Sequence, residues 1–435
     1  MVVAPSRRIT AGAVAVVPAA TIAANVTSYV LLLTAAHLLN KGAYGQLSSL
    51  LGLLLVTTVP MLALQTVAAR RLATGEDAEP VVVSAAAIIG AGAAVLLALV
   101  SPGLAAFLHL SSLSGPLLVA CTIPATALLG ACQGIAQGQQ AFHRLGLLIV
   151  LSTAGRSLGG LLGLLIGGTT TSTLLGVVLG SWVAAIGVIR IVRGAMIRAP
   201  HRRALSAVLR EAGHASHGHG VFLLLTSLDV LLARHVLDAN AAGVYAVGSV
   251  VTRAALWLPQ SVVLLLFASL AQAANRPRAA RQASVVVCAI GAISVAASVP
   301  LGALAVTIVG GDRYHLLDDK VWLFALLGGL LALLQLALLA NLAVREVWVT
   351  ALLWAAALTD VVLVLVVGRQ LSVTGLVGTL TIVAGAAAAV GLWLTVRPRP
   401  PSASVPGRQA DRDSAVPSSP RGDYSAAPVG QDPGM

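Results

Sequence analysis

Apolar positions fill the chain in long runs broken by short stretches of Gly, Pro, Ser, Thr and Arg. Each run is about 20 residues, enough to cross the ~30 Å hydrocarbon core of a bilayer as a helix. The runs fall at 10–37, 46–68, 81–100, 115–135, 145–166, 173–193, 216–237, 246–271, 284–309, 321–341, 347–368 and 373–396, which predicts about twelve membrane helices. Breakers sit between them: Thr74-Gly75 with Pro80, Ser101-Pro102-Gly103, Ser114-Gly115-Pro116, Gly167-Gly168 and Gly310-Gly311. Pro60 and Pro259 lie inside the second and eighth runs and are expected to kink or soften those helices.

The pattern repeats. His37-Leu38-Leu39-Asn40 leading to Gly45 is matched 198 residues later by His235-Val236-Leu237-Asp238 leading to Gly243, each between two apolar runs. This predicts an all-α membrane protein of two six-helix lobes, 1–200 and 201–397. An even number of spans per repeat makes both lobes enter the membrane the same way, so a pseudo-two-fold axis runs along the membrane normal. Residues 398–435 turn to Pro, Ser, Gly, Asp and Arg and read as a disordered cytoplasmic tail. Its Arg421-Gly422-Asp423 is a chance match to an adhesion tripeptide.

Composition agrees with the membrane class: 58% hydrophobic, 10% charged, mean hydropathy +0.94. The net charge of +12 points at first to nucleic acid. Most of the 27 basic residues, however, spread over short loops on the side that holds both termini, which makes that side cytoplasmic and excludes a nucleic-acid face. All basic residues but Lys41 and Lys320 are Arg, a bias that suggests a GC-rich bacterial genome and hence the bacterial cytoplasmic membrane. The first run follows Arg7-Arg8 and exceeds signal-peptide length, so it reads as an uncleaved first helix. Cys121, Cys132 and Cys288 lie in spans with neither metal nor disulfide spacing.

A charge at mid-membrane costs roughly 2.5–3.5 kcal/mol and persists when it is paired or faces water. The residues of this kind are Arg156, Asp229, Arg234, Arg253 and Asp360. Arg253, with Arg156 and Arg234, suits an anionic head group, because guanidinium forks match phosphate oxygens. Asp229 and Arg253 are each ~10–12 Å deep on neighbouring antiparallel helices, so an ion pair between them is the alternative. Asp360 has no local partner; it reads as an ion-coupling carboxylate, or as a hydrogen-bonded carboxyl. Asn25, Gln65 and Gln260 are candidates for the polar cavity, or for helix-to-helix contacts. His214, His217 and His219 sit at the mouth of the seventh span without a carboxylate or Cys to complete a metal site. No nucleophile elbow or phosphate-binding loop occurs, so neither cofactor nor enzyme chemistry is expected.

The stretch Leu38-Leu39-Asn40-Lys41-Gly42-Ala43-Tyr44-Gly45, with Ala63-Leu64-Gln65-Thr66 and Arg70-Arg71-Leu72-Ala73, resembles the start of bacterial polysaccharide flippases of the multidrug/oligosaccharidyl-lipid/polysaccharide exporter (MOP) superfamily. Asp229-Val230-Leu231-Leu232-Ala233-Arg234-His235, Ala242-Gly243-Val244-Tyr245-Ala246, Thr252-Arg253 and Leu256-Trp257-Leu258-Pro259-Gln260 resemble the seventh and eighth helices of that group. The resemblance implies a V-shaped two-lobe transporter that carries a polyprenyl-phosphate-linked glycan across the bilayer by alternating access. It also implies glycosyltransferases of the same pathway as partners. Lipid II flippases of the superfamily typically have two further helices, so the chain looks less like them. Other readings are a multidrug cation antiporter of the same superfamily, which would favour an acidic cavity, and a membrane glycan polymerase or ligase, which would need a large outer loop. The major facilitator fold shares the helix count, but its charged loop signature is missing between Arg70 and Pro80.

Overall fold

A computed structural model of the chain describes residues 11–196, 202–259, 276–342 and 348–396. The first half holds α1 (Ala11–Leu38), α2 (Lys41–Val56), α3 (Val59–Ala73), α4 (Glu79–Phe107), α5 (Ser114–Gly138), α6 (Phe142–Gly167) and α7 (Thr170–Met196). The second holds α8 (Arg202–Val236), α9 (Ala239–Trp257), α10 (Arg276–Gly310), α11 (Val321–Leu342), α12 (Trp348–Val367) and α13 (Val373–Val396). Short 3-10 turns occur at Asp312–Leu317 and Gly368–Gln370. Among the described residues ten helical stretches are long and apolar enough to cross a membrane, or eleven when the bent α8 is counted. The eighth expected span, 246–271, is described only as far as Pro259, and the tail lies outside the described residues. Bulky apolar side chains such as Leu99, Ile166, Val183 and Val366 stand exposed on the outside of the bundle, which suits contact with lipid tails and not water.

The second expected span is two helices on one path. α2 stops at Thr57 and Thr58, whose hydroxyls bond back to the carbonyls of Leu54 and Leu55, and α3 restarts with Pro60 in its first turn. A proline is tolerated there because first-turn amides have no partner within the helix. The softening expected at Pro60 is thus a break.

The two repeated motifs turn out to be helix starts. Asn40 caps α2 by accepting from the Ala43 amide at 2.8 Å, and Asp238 caps α9 by accepting from Asn240 and Ala241 at 2.8 and 3.0 Å. Five residues past each cap comes the repeated glycine, and the two glycines meet. A Cβ on Gly45 would lie 2.8 Å from the Gly243 nitrogen, and one on Gly243 would overlap the Lys41 carbonyl. The duplicated motif therefore marks where α2 and α9, equivalent helices of the two lobes, cross backbone to backbone.

Within the first lobe α6 packs on α7 and α1, and α5 on α3, α4 and α7. Within the second, α11 packs on α9, α10 and α13, and α12 on α13. The lobes join where α2 meets α8 and α9 and where α3 meets α8. The main core crosses this junction, with Tyr44, Leu47 and Leu50 of α2 beside Phe222, Leu225 and Leu228 of α8. The early part of α8 belongs elsewhere: Val208 and Ala212 are buried in a core built from α3, α4 and α5. Glu211 on the same stretch binds Arg71 at 2.7 Å and also Arg70, fastening α8 to the end of α3. The Arg71 hydrogen bond, reinforced by Arg70, holds the Glu211 carboxyl below its ordinary value.

At the end of the bundle bearing the two caps, arginines tie one half to the other. Arg313 donates to the carbonyls of Leu39, at 3.1 Å, and His37. Arg234 donates to those of Leu108 and His109, at 3.0 and 3.1 Å. His235 stacks on Phe107 with ring centroids 4.0 Å apart and bonds to the Phe107 carbonyl.

Candidate functional site

A cavity of about 380 Å³ lies between the halves. One wall is a polar stripe on α1, Asn25, Ser28 and Tyr29, whose spacing of three and four residues puts them on one helix face. The facing stripe on α6 is Ser152, Thr153, Arg156 and Ser157, joined to α1 by the Ser28–Ser157 hydroxyl contact at 3.0 Å. Gln133 on α5 steadies α6 from behind by donating to Ser152 Oγ at 2.9 Å. The second half contributes Leu223, Arg253 and Trp257. Arg156 and Arg253 thus face one cavity from two lobes, and among the described residues no carboxylate lines it. Arg253 is held loosely, with Nη1 3.4 Å from Ser249 Oγ.

A second, much smaller pocket of about 10 Å³ lies inside the second lobe. Among the described residues, Asp229 of α8 and Asp360 of α12 are its only titratable lining residues, beside Leu225, Leu327, Leu331, Ala356, Leu380 and Ala384. The two residues are 6% and 4% exposed, and the Oδ1 atom of each has no hydrogen-bond partner among the described residues. A buried carboxylate oxygen in that state calls for a bound proton, water or cation.

The expected ion pair between Asp229 and Arg253 is not formed among the described residues. Depth along the helices placed them at one level, but facing decides the contact. On α8, Leu223 faces the large cavity, and Asp229 six residues later, at about 100° per residue, points away from it towards α11, α12 and α13. Arg234 does not reach the cavity either; it is 8% exposed and committed to the two backbone carbonyls described above. Gln65 is outside the lining and donates to Gln137 at 3.2 Å, a link between α3 and α5. Gln260 and the His219 side chain fall outside the described residues, while His214 and His217 are exposed and bond to carbonyls of their own helix. Among the described residues no three His, Cys, Asp or Glu come close enough to hold a metal ion. Of the sequence candidates, then, Arg156, Arg253 and Asn25 come together, and Asp229 and Asp360 form a separate pair. The hydroxyl stripes that complete the cavity were missed, although their three-and-four spacing was visible in the sequence.

No protein-family model matches the chain, and no curated protein matches it. Solved structures do. An inward-facing multidrug resistance MATE-family transporter of the MOP superfamily superposes with a TM-score of 0.69 over 86% of this chain and 93% of its own, at 12% identity. The lipid II flippase MurJ in an inward closed conformation superposes with a TM-score of 0.70 over 89% of this chain and 88% of its own, also at 12% identity. The chain shares the fold of these two proteins. A third similar structure, at 13% identity with a TM-score of 0.58 over 88% of this chain and 94% of its own, is a MOP-superfamily transporter from Pyrococcus furiosus. It is described as having a binding pocket of reverse polarity that suggests a different function. At such identities the likeness establishes the MOP-type fold of two lobes and leaves the cargo to the site.

Proposed function

We propose that the chain moves a lipid-linked anionic head group, a polyprenyl-diphosphate-linked glycan, across a bacterial cytoplasmic membrane by alternating access between its two lobes. The observation that carries this reading is the pair Arg156 and Arg253, which line one cavity from different lobes with no carboxylate among its described lining residues. Two guanidiniums facing one low-dielectric cavity repel each other and become favourable when a diphosphate lies between them. The hydroxyls and amide of Asn25, Ser28, Ser152, Thr153 and Ser157 supply donors and acceptors suited to sugar hydroxyls. The head group enters from the cytoplasmic side, the lobes rock, and the polyprenyl tail stays in the bilayer.

In this reading Asp229 and Asp360 bind the coupling ion. Two buried carboxylates in one pocket cannot both remain charged without a cation or proton between them, and 10 Å³ suits one water-sized occupant. Multidrug cation antiport is the second reading, supported by the MATE-type fold and this carboxylate pair; the basic cavity counts against it.

The test is flipping of a fluorescent polyprenyl-diphosphate glycan by the purified chain in vesicles, followed by quenching from one side. Arg156→Ala and Arg253→Ala should each abolish flipping while the protein inserts normally. Full activity in both variants would refute the anion site. Transport of organic cations, with no flipping by the wild type, would establish the antiporter instead.

A further inference from the structure

The cavity between the halves has two unlike walls. The polar stripes of α1 and α6 make one, while α2, α3 and α8 make the other with Leu51, Leu54, Leu55, Met61, Leu62 and Leu223. Thr58, at the break between α2 and α3, and Thr126 of α5 stand among these side chains. Each hydroxyl donates to a carbonyl three residues back, Thr58 Oγ1 to Leu55 at 2.6 Å and Thr126 Oγ1 to Ile123 at 2.9 Å. Among the described residues, this wall therefore offers a cargo no free donor.

The apolar wall runs beside the anion site. α2 and α9 start together at their crossing, where a Cβ on Gly42 would lie 3.3 Å from that of Ala239, and both lead away from it into the bundle. Leu55 is fourteen residues into α2 and Arg253 fourteen into α9, so each lies ~21 Å from that start. Both line the cavity, so facing agrees with level. From Leu51 to Leu62 the wall extends ~16 Å along the two helices, to either side of that level. Sugar fits it poorly, because a hydroxyl pressed against leucine loses water without gaining a partner. Hydrocarbon fits it well: burying about two methylenes there tightens binding about tenfold.

We propose that this wall is a subsite for hydrocarbon, and that it takes the isoprene units next to the diphosphate while the rest of the tail lies in the bilayer. This rests on the anion site given to Arg156 and Arg253 above. The cargo is then recognised at the junction of its parts, with the diphosphate between the guanidiniums, the first isoprene units on the leucines and the sugar on the hydroxyl stripes. A soluble nucleotide sugar carries the same diphosphate without that hydrocarbon and gains nothing from the wall.

The experiment titrates inorganic pyrophosphate and geranyl diphosphate calorimetrically into the full chain in phospholipid nanodiscs, with empty nanodiscs as the blank. Geranyl diphosphate should bind at least about tenfold tighter than pyrophosphate. Leu55→Ala with Leu62→Ala should still bind pyrophosphate and lose most of that difference. Leu55→Met with Leu62→Met should keep it, and so should the lipid-facing pair Leu99→Ala with Val183→Ala. Equal affinity for the two diphosphates in the wild type, expected if acyl chains of the bilayer cover the wall, would overturn this inference and leave the anion site standing. An undiminished difference in the Leu55 and Leu62 alanine pair, or its loss in the lipid-facing pair, would do the same. Loss of pyrophosphate binding in that alanine pair would make the leucines part of the cavity's frame and not a subsite. If the wild type binds neither diphosphate, the anion site falls and this inference with it.

Discussion

The crossing of α2 and α9 can be tested by adding one methyl group. In Gly45→Ala the new Cβ would sit 2.8 Å from the Gly243 nitrogen and 3.0 Å from the Ala242 carbonyl carbon, against 3.4 Å for ordinary contact. The obstacles are backbone atoms of a helix, which cannot swing aside like a side chain, so α2 must move off α9 by about 0.6 Å. Overpacking of this kind typically costs about 1–3 kcal/mol. That cost falls on the state in which the capped ends are together, lowering its population by roughly 5- to 150-fold relative to a state with the ends apart. A disulfide reports the distance. A Cβ on Gly42 would lie 3.3 Å from that of Ala239, close to the ~3.5–4.5 Å disulfide range, so Gly42→Cys with Ala239→Cys should cross-link in a background without Cys121, Cys132 and Cys288. Adding Gly45→Ala should slow that cross-link by at least about fivefold while the protein remains folded in the membrane. An unchanged cross-linking rate and an unchanged melting temperature would refute the argument that backbone contact holds this end together.

Other outcomes follow from the same geometry. Gly92 of α4 has nothing within 4 Å of where a Cβ would go, so Gly92→Ala should stabilise the helix by about 0.5–1 kcal/mol and raise the melting temperature by about a degree or two. Arg234→Ala strands the buried Leu108 carbonyl and the half-buried His109 one and should cost about 2 kcal/mol in thermal unfolding. It should leave pyrophosphate affinity in place, since Arg234 does not line the cavity; loss of binding without loss of stability would return it to the site. The Glu211 carboxyl is held below its ordinary value by Arg71 and Arg70, so its contribution is full above about pH 4.3, the ordinary glutamate value, and fades as pH falls through the lower folded value. Glu211→Gln should therefore melt earlier than the wild type near neutrality, with the gap closing in acid; a gap independent of pH would rule out the ionic account.

The fold was legible because bilayer thickness leaves a coarse record in sequence: run lengths gave the spans, and the duplicated His37 and His235 motifs gave the two lobes. The break at Thr57 and Thr58 was legible only as a kink, because hydroxyls that bond back to their own helix leave hydropathy unchanged. The site was half legible. Arg156 and Arg253 stood out because charge is rare in a span, while Ser28, Ser152, Thr153 and Ser157 did not, because hydroxyl residues in membrane helices commonly satisfy themselves on their own backbone. The Asp229 pairing failed for a different reason. Depth can be counted from sequence, but which flank of α8 faces which neighbour is set by packing against α11, α12 and α13.

The meeting of Gly45 with Gly243 reaches beyond stability. A contact between equivalent positions across a two-fold axis is isologous, the kind two identical chains make when they pair. A half-length chain carrying one such cap and one such glycine would have formed this crossing with its own copy. A side chain gained at Gly45 meets the Gly243 backbone and one gained at Gly243 meets the Lys41 backbone, both on the same crossing, so substitutions there are not independent. The two positions are expected to vary together, because the crossing between the lobes is packed as closely as the interface of a tight dimer.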